Sequence, residues 1–439
     1  MIPEKMLDVL RIKTLDELFD DIPNSARIDG LNLPDGIEDL ELERDVTRIL
    51  ARNRTMADIP IFLGGGVYRH YVPAVVEEIL SRSELYTSYT PYQAEASQGM
   101  LQALFEYQSM VAELTGLEAV NSSMYDWSTA LGEAALMCHR IKPGKRFLIG
   151  RSVSPERKAV LKTYLAGIGA SIKEIPFEKE SGRINLQGLK SEISDDVFGL
   201  YLENPNYFGV LEEDVDEVSP LIRDVPLVIG ANPLSLAILK PPSEYGADIV
   251  IGEGHHLGTN PNFGGPLLGI FATKKEHIRK MPGRIIGMTV DATGKTAYCM
   301  TLQTREQHIR RDKATSNICT NEALMAVAAV AYLASIGKRK LVEIASENIR
   351  KAKKFADRIS SVKGFRAPLF QANHFNEFVM RSDTGAEELS KRLLSKGVHG
   401  GICLNKDFPD LGESMLLAVS ELHSDEDFDL FVSALEGEN

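Results

Sequence analysis

The sequence predicts an α/β fold, in which a large domain with a mostly parallel central sheet precedes a smaller α+β domain. Three observations lead to this prediction. Short apolar runs alternate with helical patterns through the middle of the chain, as in sheets that helices cover on both faces. After Thr320 the pattern changes to long helices with few strands. The chain of 439 residues is also too long for one ordinary core.

The first 60 residues carry many charges, two short leucine-spaced stretches and the helix breakers Pro23 and Pro34. This pattern predicts an arm of small helices and not a self-sufficient domain, and such an arm packs on another surface because it cannot bury its apolar positions alone. We therefore expect three parts: a helical arm at 1–60, a large α/β domain at 61–320 and a small C-terminal α+β domain at 321–439.

The large domain contains the clearest helix of the sequence. Apolar residues fall on one face from Gln98 to Thr115, and Gly116 is placed to end the helix. Five short apolar runs after it are expected to form the sheet, with a helix at 154–167 between the first two. These runs are 147–149, 196–203, 226–231, 248–252 and 267–273.

The C-terminal third is expected to begin with two long helices. A strand at 376–381, a helix, a strand at 415–419 and a last helix opening at Ser424 follow, and Asp427 is spaced to complete a capping box. The most apolar stretch, 323–336, is shorter than the ~20 residues that cross a bilayer, so it predicts a buried helix.

Composition disfavours several functional classes. The net charge is −13 and no basic cluster dominates, which argues against nucleic acid and against direct membrane binding. The four cysteines show no Cys-x-x-Cys spacing, so neither a zinc site nor a disulfide framework is expected. The first residues resemble neither a signal peptide nor a transit peptide. A cytoplasmic location is therefore expected.

The segment 86–99 concentrates tyrosines and other hydrogen-bonding side chains around a proline. Such a loop could bind a polar ligand, although the spacing alone favours a packed turn with tyrosines at a subunit contact. The candidate ligand-binding residues of this loop are Tyr89, Tyr92, Gln93, Glu95 and Ser97.

A second segment, 121–129, follows a short apolar run and precedes a helix. Backbone N–H groups at a helix start can bind phosphate. Asp126, however, is well placed to cap that helix, and its carboxylate would repel an anion. Capping is therefore the favoured interpretation.

Two further segments carry candidate site residues. His255 and His256 follow a predicted strand; adjacent side chains of an extended segment point in opposite directions, so joint binding of one metal is improbable. The segment 302–320 is the densest basic stretch and contains Arg305, His308 and Arg310. Its arginines could bind a carboxylate or could form ion pairs at an interface, and the pattern does not decide between these.

Together, the segments 86–99, 281–287 and 302–320 closely resemble the glycine decarboxylase family. The resemblance runs from about residue 61 to 320 and continues more weakly to the C-terminus. That family occurs as one long chain or as two subunits, and this chain is similar to the first subunit of the split form. The resemblance implies an aspartate-aminotransferase-like fold, that of the fold type I pyridoxal-phosphate enzymes.

The resemblance also implies that this chain has lost the cofactor contacts. In the cofactor-bearing half of the family a lysine follows a histidine after a strand, and here His256 occupies that place after His255. An aspartate precedes the Gly-Ala-Asn triplet there, and here Ile229 does. Pyridoxal phosphate is therefore expected on a partner chain and not on this one. Lys274 and Lys275 are the remaining, poorer, candidates for a Schiff base.

The implied reaction is the decarboxylation of glycine and transfer of its aminomethyl group to the lipoyl arm of H-protein. The expected partners are the cofactor-bearing P-protein subunit and lipoylated H-protein, and this chain is expected to supply no covalent catalytic residue. Two alternatives stay open at this point. One is an independent pyridoxal-phosphate aminotransferase or lyase, and the other is a scaffold that stabilises its partner without touching the reaction.

Overall fold

The computed structural model describes residues 4–28 and 30–437, which divide into two compact units, Met1–Asp58 and Ile59–Asn439. The first unit contains the helices α1 (Glu4–Leu10) and α2 (Asp39–Leu50), with 3-10 turns between them. Its large apolar side chains are exposed, Val9 by 82% and Leu31 by 72%. The small helices expected from the sequence are therefore present.

A seven-stranded sheet organises the second unit. Its strands are β1 (Ala119–Val120), β2 (Arg146–Gly150), β3 (Ser171–Ile175), β4 (Val197–Glu203), β5 (Leu227–Ala231), β6 (Ile249–Glu253) and β7 (Gly269–Thr273). Their order is β1-β7-β6-β5-β4-β2-β3, and only β7 and β1 run antiparallel to their neighbours. The mostly parallel sheet is confirmed, while β1 and the polar edge strand β3 were not predicted.

Helices cover this sheet. They are α3 (Ala74–Leu80), α4 (Ser83–Tyr86), α5 (Gln98–Thr115), α6 (Trp127–Ile141), α7 (Pro155–Ala166), α8 (Leu186–Glu192) and α9 (Val218–Ile222). The predicted helix α5 is confirmed, and Gly116 ends it with φ +73°. Asp126 caps α6 by accepting a hydrogen bond from the Thr129 N–H at 2.9 Å, which confirms the capping interpretation.

A hairpin that the sequence did not predict follows the sheet. Its strands are β8 (Ile285–Val290) and β9 (Thr296–Thr301), and the short helix α10 (Gln307–Arg310) comes after it. Gln108 of α5 anchors the hairpin, because its side-chain amide donates to the Ile286 carbonyl and accepts from the Ile286 N–H, both at 2.9 Å. The hairpin is thereby held against α5.

The C-terminal region opens with the long helix α11 (Ala323–Ser360), which Gly337 interrupts with φ +70°. The two predicted long helices are therefore the two halves of one kinked element. A four-stranded antiparallel sheet follows, with order β10-β11-β13-β12. Its parts are β10 (Phe365–Arg366), β11 (Glu377–Ser382), α12 (Ala386–Ser395), β12 (Ile402–Cys403), β13 (Ser414–Ala418) and α13 (Asp425–Glu436).

Ser424 and Asp427 form the predicted capping box at the start of α13. The apolar stretch 323–336 is the first half of α11 and is largely buried, as expected. Among the described helices, none has an apolar run sufficient to span a bilayer. The boundary predicted at residue 320 lies just before α11 and stays a prediction.

Candidate functional site

A crevice lies at the carboxyl edge of β4, β5 and β6, the edge at which sheets of this kind bind ligands. Glu203 ends β4, Asn232 directly follows β5, and a short turn carrying the two adjacent histidines follows β6. Ile229 lies within β5 and is fully buried. The positions that the sequence marked as degenerate cofactor contacts therefore belong to this part of the sheet.

Side chains of the protein itself fill the crevice. Arg157 of α7 makes a bidentate ion pair with Glu203, with Nε–Oε1 at 2.6 Å and Nη2–Oε2 at 3.0 Å. The Arg157 guanidinium also lies 4.1 Å from the ring centre of Trp127, and the Tyr201 hydroxyl donates to Glu203 at 2.9 Å. About 10 Å³ of free volume remains, which is room for one water at most.

A hydrogen-bond chain closes the crevice from the C-terminal region. The Asn232 amide donates to the Tyr68 hydroxyl at 2.9 Å, and that hydroxyl donates to the Asn376 carbonyl oxygen at 3.1 Å. Next to it, Glu377 accepts from the Gly65 N–H at 2.6 Å. Burial raises the pKa of Glu377 to about 7, although the hydrogen bond from Gly65 acts in the opposite direction. Both regions of the second unit thus contribute to the closure.

The histidine pair differs from the sequence expectation. His255 and His256 lie in a 3-10 turn and not on an extended segment, so their rings are neighbours with centroids 4.1 Å apart. The expectation that they point in opposite directions was wrong for this reason. Burial lowers the pKa of His255 to about 3 and that of His256 well below its usual value, so both are neutral. Among residues 4–28 and 30–437, no cluster of ligating side chains could hold a metal ion.

The residues of the crevice do not fit pyridoxal phosphate. The cofactor requires a lysine for its Schiff base and an acid for its ring nitrogen, and His256 and Ile229 offer neither. The Arg157–Glu203 pair and its neighbours leave only about 10 Å³ of free volume in the crevice, too little for such a ring. Lys274 pairs with Asp248 at 2.5 Å, beside the opposite end of β6, roughly 16 Å of strand away.

The loop 86–99 is, by contrast, open to solvent. Tyr89 is 74% exposed and Tyr92 is 48% exposed. Gln93 and Glu95 are exposed and Ser97 is half-buried, and none of these three side chains forms a hydrogen bond within the described part of the chain. Their polar groups are therefore available to an external molecule.

Arg284, at the start of the β8–β9 hairpin, is the residue that sequence reasoning missed. Its Nη2 donates to the Tyr92 hydroxyl oxygen at 3.1 Å, its Nη1 donates to Asn321 at 3.2 Å, and it also contacts the Cys319 carbonyl. Its Nε lies 3.8 Å from Glu306. The loop 86–99 and the segment 302–320 therefore meet at one buried guanidinium. We call Tyr92, Arg284, Glu306, His308 and Asn321 the Arg284 cluster.

The predicted residues of 302–320 have different positions. His308 belongs to the Arg284 cluster, with its ring 5.7 Å from that of Tyr92 and Nδ1 3.6 Å from Glu306. Arg305 is buried and donates to the backbone carbonyls of the turn before β8, including that of Gly283 at 2.9 Å. Arg310 is exposed and donates to the Thr304 carbonyl at 3.1 Å. Neither arginine joins the cluster.

Only one signal in the sequence pointed to Arg284. It lies in the segment 281–287, which resembles the glycine decarboxylase family but did not by itself suggest a chemical role. An arginine between a Pro-Gly turn and an apolar strand is a charge at a buried position, which demands partners. Its partner Tyr92 is 192 residues away, a distance that no local pattern reveals.

Comparison with known proteins assigns the chain to a family. The family model described as "Glycine cleavage system P-protein" matches residues 3–435. A relative from Pyrococcus abyssi, "Probable glycine dehydrogenase (decarboxylating) subunit 1", is 47% identical over 98% of this chain and 96% of its own length. A relative of the same name from Carboxydothermus hydrogenoformans is 45% identical over 99% and 97%.

Solved structures agree with this assignment. A glycine decarboxylase (P-protein) of the glycine cleavage system, in inhibitor-bound form, has a TM-score of 0.90 and 38% identity over 99% of this chain and 97% of that one. A sphingosine-1-phosphate lyase from Burkholderia pseudomallei has a TM-score of 0.66 at 13% identity, over 94% of both chains. The latter likeness concerns the fold alone, which is that of fold type I pyridoxal-phosphate enzymes.

Proposed function

The chain belongs to the glycine cleavage system P-protein family, and we propose that it is the subunit of a glycine decarboxylase that carries no cofactor. It acts with a homologous second subunit, which holds pyridoxal phosphate, in the cytoplasm. Together they decarboxylate glycine and transfer its aminomethyl group to the lipoyl arm of H-protein. The observation that carries this proposal is the crevice filled by Arg157, Glu203 and Trp127.

Pyridoxal phosphate on the second subunit supplies the electron sink for decarboxylation. This chain contributes binding groups at the shared site, and Tyr92 is the best candidate among them. The Arg284 guanidinium donates to the Tyr92 oxygen, so the phenol proton remains free to be donated outward. A neighbouring cation also makes that phenol a stronger donor. Tyr92 is thus oriented and polarised toward an external acceptor.

The arginines of 302–320 are weaker candidates for the glycine carboxylate. A tight arginine clamp would stabilise the substrate more than the transition state, in which the carboxylate charge is leaving. Arg305 is moreover engaged with backbone carbonyls, and Arg310 donates to Thr304. Tyr89 and Tyr92 therefore rank above the arginines, with Gln93, Glu95 and Ser97 as neighbouring donors and acceptors.

The N-terminal unit supports an obligate partner. Its exposed apolar side chains include Leu18, Phe19, Leu40 and Ile49, which is unfavourable in water. Obligate interfaces bury about 2,000 Å² or more, and a helical arm of this composition suits such an interface. We expect this chain to co-purify with the cofactor-bearing subunit at equal stoichiometry, as a dimer of such pairs.

Two alternatives predict different behaviour. An independent pyridoxal-phosphate enzyme would need the lysine and the acid that His256 and Ile229 replace, and an open crevice. A scaffold would leave the reaction rate of its partner unchanged. The exposed and polarised Tyr92 phenol favours direct participation over the scaffold, because packing alone does not require it.

The decisive experiment measures exchange of labelled bicarbonate into the carboxyl group of glycine. The assay is run on this chain alone, on the second subunit alone and on both together. We expect exchange only in the mixture. Full exchange by the second subunit alone would reduce this chain to a scaffold, and exchange by this chain alone would overturn the proposal.

A second experiment locates the cofactor directly. The mixture is reduced with borohydride in the presence of pyridoxal phosphate, digested and analysed by mass spectrometry, with the second subunit as the positive control. We expect a stoichiometric pyridoxyl-lysine on the second subunit and none on this chain. A stoichiometric pyridoxyl group on Lys274, Lys275 or another lysine of this chain would contradict the assignment.

A further inference from the structure

A second cavity, of about 710 Å³, lies between the seven-stranded and the four-stranded sheet and shares no lining residue with the crevice. One wall is the segment after β3, and the other is formed by β10, β11 and the loop before β13. We call it the arginine cleft. Its principal lining residues are Arg151, Phe177, Lys179, Arg366, Phe370 and Arg381.

The strongest feature of the cleft is a pair of like charges. Arg366 of β10 and Arg381 of β11 are direct partners in an antiparallel ladder, so their side chains leave the same face of the sheet. Like charges in this arrangement repel each other. Within residues 4–28 and 30–437, neither guanidinium forms an ion pair or donates a hydrogen bond. The protein itself does not compensate this repulsion.

Two further cations extend the positive surface. Arg151 lines the opposite wall and pairs with Asp410 at 2.7 Å, and Lys179 has no acidic partner among the described residues. Glu180 and Asp410 are the acidic residues of the lining, so four cations face two anions. This local excess of positive charge stands out in a chain with a net charge of −13.

Two packed aromatic rings lie beneath the cleft, and that of Phe370 is fully buried. The rings of Phe177 and Phe370 meet edge to face at 5.9 Å, and the Arg151 guanidinium lies 5.9 Å from the centre of Phe177. The Arg381 guanidinium lies beside Gly412, where an added Cβ would be 3.7 Å from Nε. Concave shape and convergent polar groups are features of small-ligand sites, and the cleft has both.

We propose that the arginine cleft binds a small ligand that carries at least two negative charges on phosphate or carboxylate groups. Guanidinium groups bind both kinds of oxyanion in bidentate fashion, and a dianion would neutralise Arg366 and Arg381 together. The volume lies within the ~300–1,000 Å³ of small-molecule sites, which favours a small ligand over an acidic protein segment. Because the cleft joins both walls, the ligand bridges the two regions of the second unit.

The test titrates the full-length chain with pyrophosphate and, separately, with malonate by isothermal calorimetry, at an ionic strength held constant with NaCl. We expect saturable 1:1 binding of at least one of these two anions, and the stronger ligand tells phosphate from carboxylate recognition. The double variant Arg366→Gln/Arg381→Gln should bind at least tenfold more weakly. Arg339→Gln is the matched control, because Arg339 is 94% exposed and lies on α11 away from the cleft.

Several outcomes would overturn this proposal. They are heats that do not saturate for either anion, equal affinity in the double variant, and binding of a hexaglutamate peptide without binding of either small anion. The unliganded stability of the double variant separates binding from folding. Removal of the repulsion should leave the denaturation midpoint equal or higher, whereas a lower midpoint with unchanged anion affinity would assign both arginines to the fold.

Discussion

Arg157 and Arg284 both place a guanidinium group over an aromatic ring, and the two arrangements have opposite consequences. Arg157 lies 4.1 Å from the centre of Trp127 and makes a bidentate pair with the buried Glu203. Arg284 lies 5.5 Å from the centre of Tyr92, which remains half exposed. The first arrangement closes the crevice at the sheet edge. The second holds a polar surface open.

The difference lies in what each arginine contacts. Arg157 satisfies a buried carboxylate, which completes a compact group of side chains and leaves room for one water at most. Arg284 donates to a phenol oxygen and to carbonyl groups, and its nearest carboxylate, on Glu306, is 3.8 Å away. The polar groups that remain available to an external molecule therefore lie around Tyr92 and not in the crevice.

The largest expected effect comes from breaking the buried pair. Arg157→Met leaves the Glu203 carboxylate buried without its partner, which typically costs about 3–5 kcal/mol. We expect that loss in the free energy of unfolding, measured by urea denaturation. The exposed control Arg339→Gln should change it by less than about 0.5 kcal/mol. A loss below about 1 kcal/mol for Arg157→Met would mean that water reaches Glu203 and that the crevice is open.

The double variant Arg157→Met/Glu203→Gln refines this test. It removes both charges and keeps an acceptor for the Tyr201 hydroxyl, so most of the lost stability should return. If the double variant is as unstable as Arg157→Met, the packing of Arg157 on Trp127, and not the ion pair, would hold the crevice closed.

The elements that the sequence predicted well depend on local patterns. The helix α5 has a periodic apolar face and a glycine at its end, and the buried parallel strands are continuous apolar runs. Those it missed lack such patterns: β3 is a mainly exposed edge strand, and the outer half of β8 is exposed. The conformation of exposed edge strands and hairpins depends on contacts with residues that are distant in the sequence. A short stretch of sequence therefore does not predict them.

The features of the candidate site also fall into those that local sequence predicts and those that it does not. The absence of the expected lysine and aspartate could be read from the sequence, because His256 follows a predicted strand and Ile229 precedes the Gly-Ala-Asn triplet. The residues that fill the crevice could not be predicted, because Arg157 and Glu203 are 46 positions apart and look like ordinary surface charges in the sequence. Arg284 escaped for the same reason. Long-range pairing of charged side chains is set by the fold and is not visible in spacing.

An intermediate effect is expected at the open surface. Tyr92→Phe removes the phenol proton that we propose to be donated to substrate or cofactor, and glycine exchange by the reconstituted pair should fall on the order of 10²-fold. Tyr89→Phe tests the neighbouring candidate separately. Tyr71→Phe, at a half-exposed tyrosine outside the loop 86–99, is the matched control. Unchanged exchange and lipoyl transfer in both loop variants, with the complex intact, would assign the loop to packing.

The smallest expected effect is a pH dependence of the closed crevice. Burial raises the pKa of Glu377 to about 7 from its ordinary value of 4.5, so the folded state binds more protons than the unfolded state between those values. Its contribution to stability is therefore complete below about pH 4.5 and is lost as the pH rises to about 7. Glu377→Gln keeps an acceptor for the Gly65 N–H but cannot ionise, so it escapes this loss.

The free energy of unfolding of Glu377→Gln should consequently rise relative to that of the wild type as the pH increases from 5 to 8. Glu377 keeps partial solvent contact, so we expect a gain of about 1–2 kcal/mol and not the full value of the shift. Urea denaturation at four pH values measures it. Arg339→Gln removes a group that stays protonated throughout this pH range. Its free energy of unfolding should therefore differ from that of the wild type by a constant amount at every pH. A difference between Glu377→Gln and wild type that stays constant over this range would show that Glu377 is solvated, and that the crevice is as open as the surface around Tyr92.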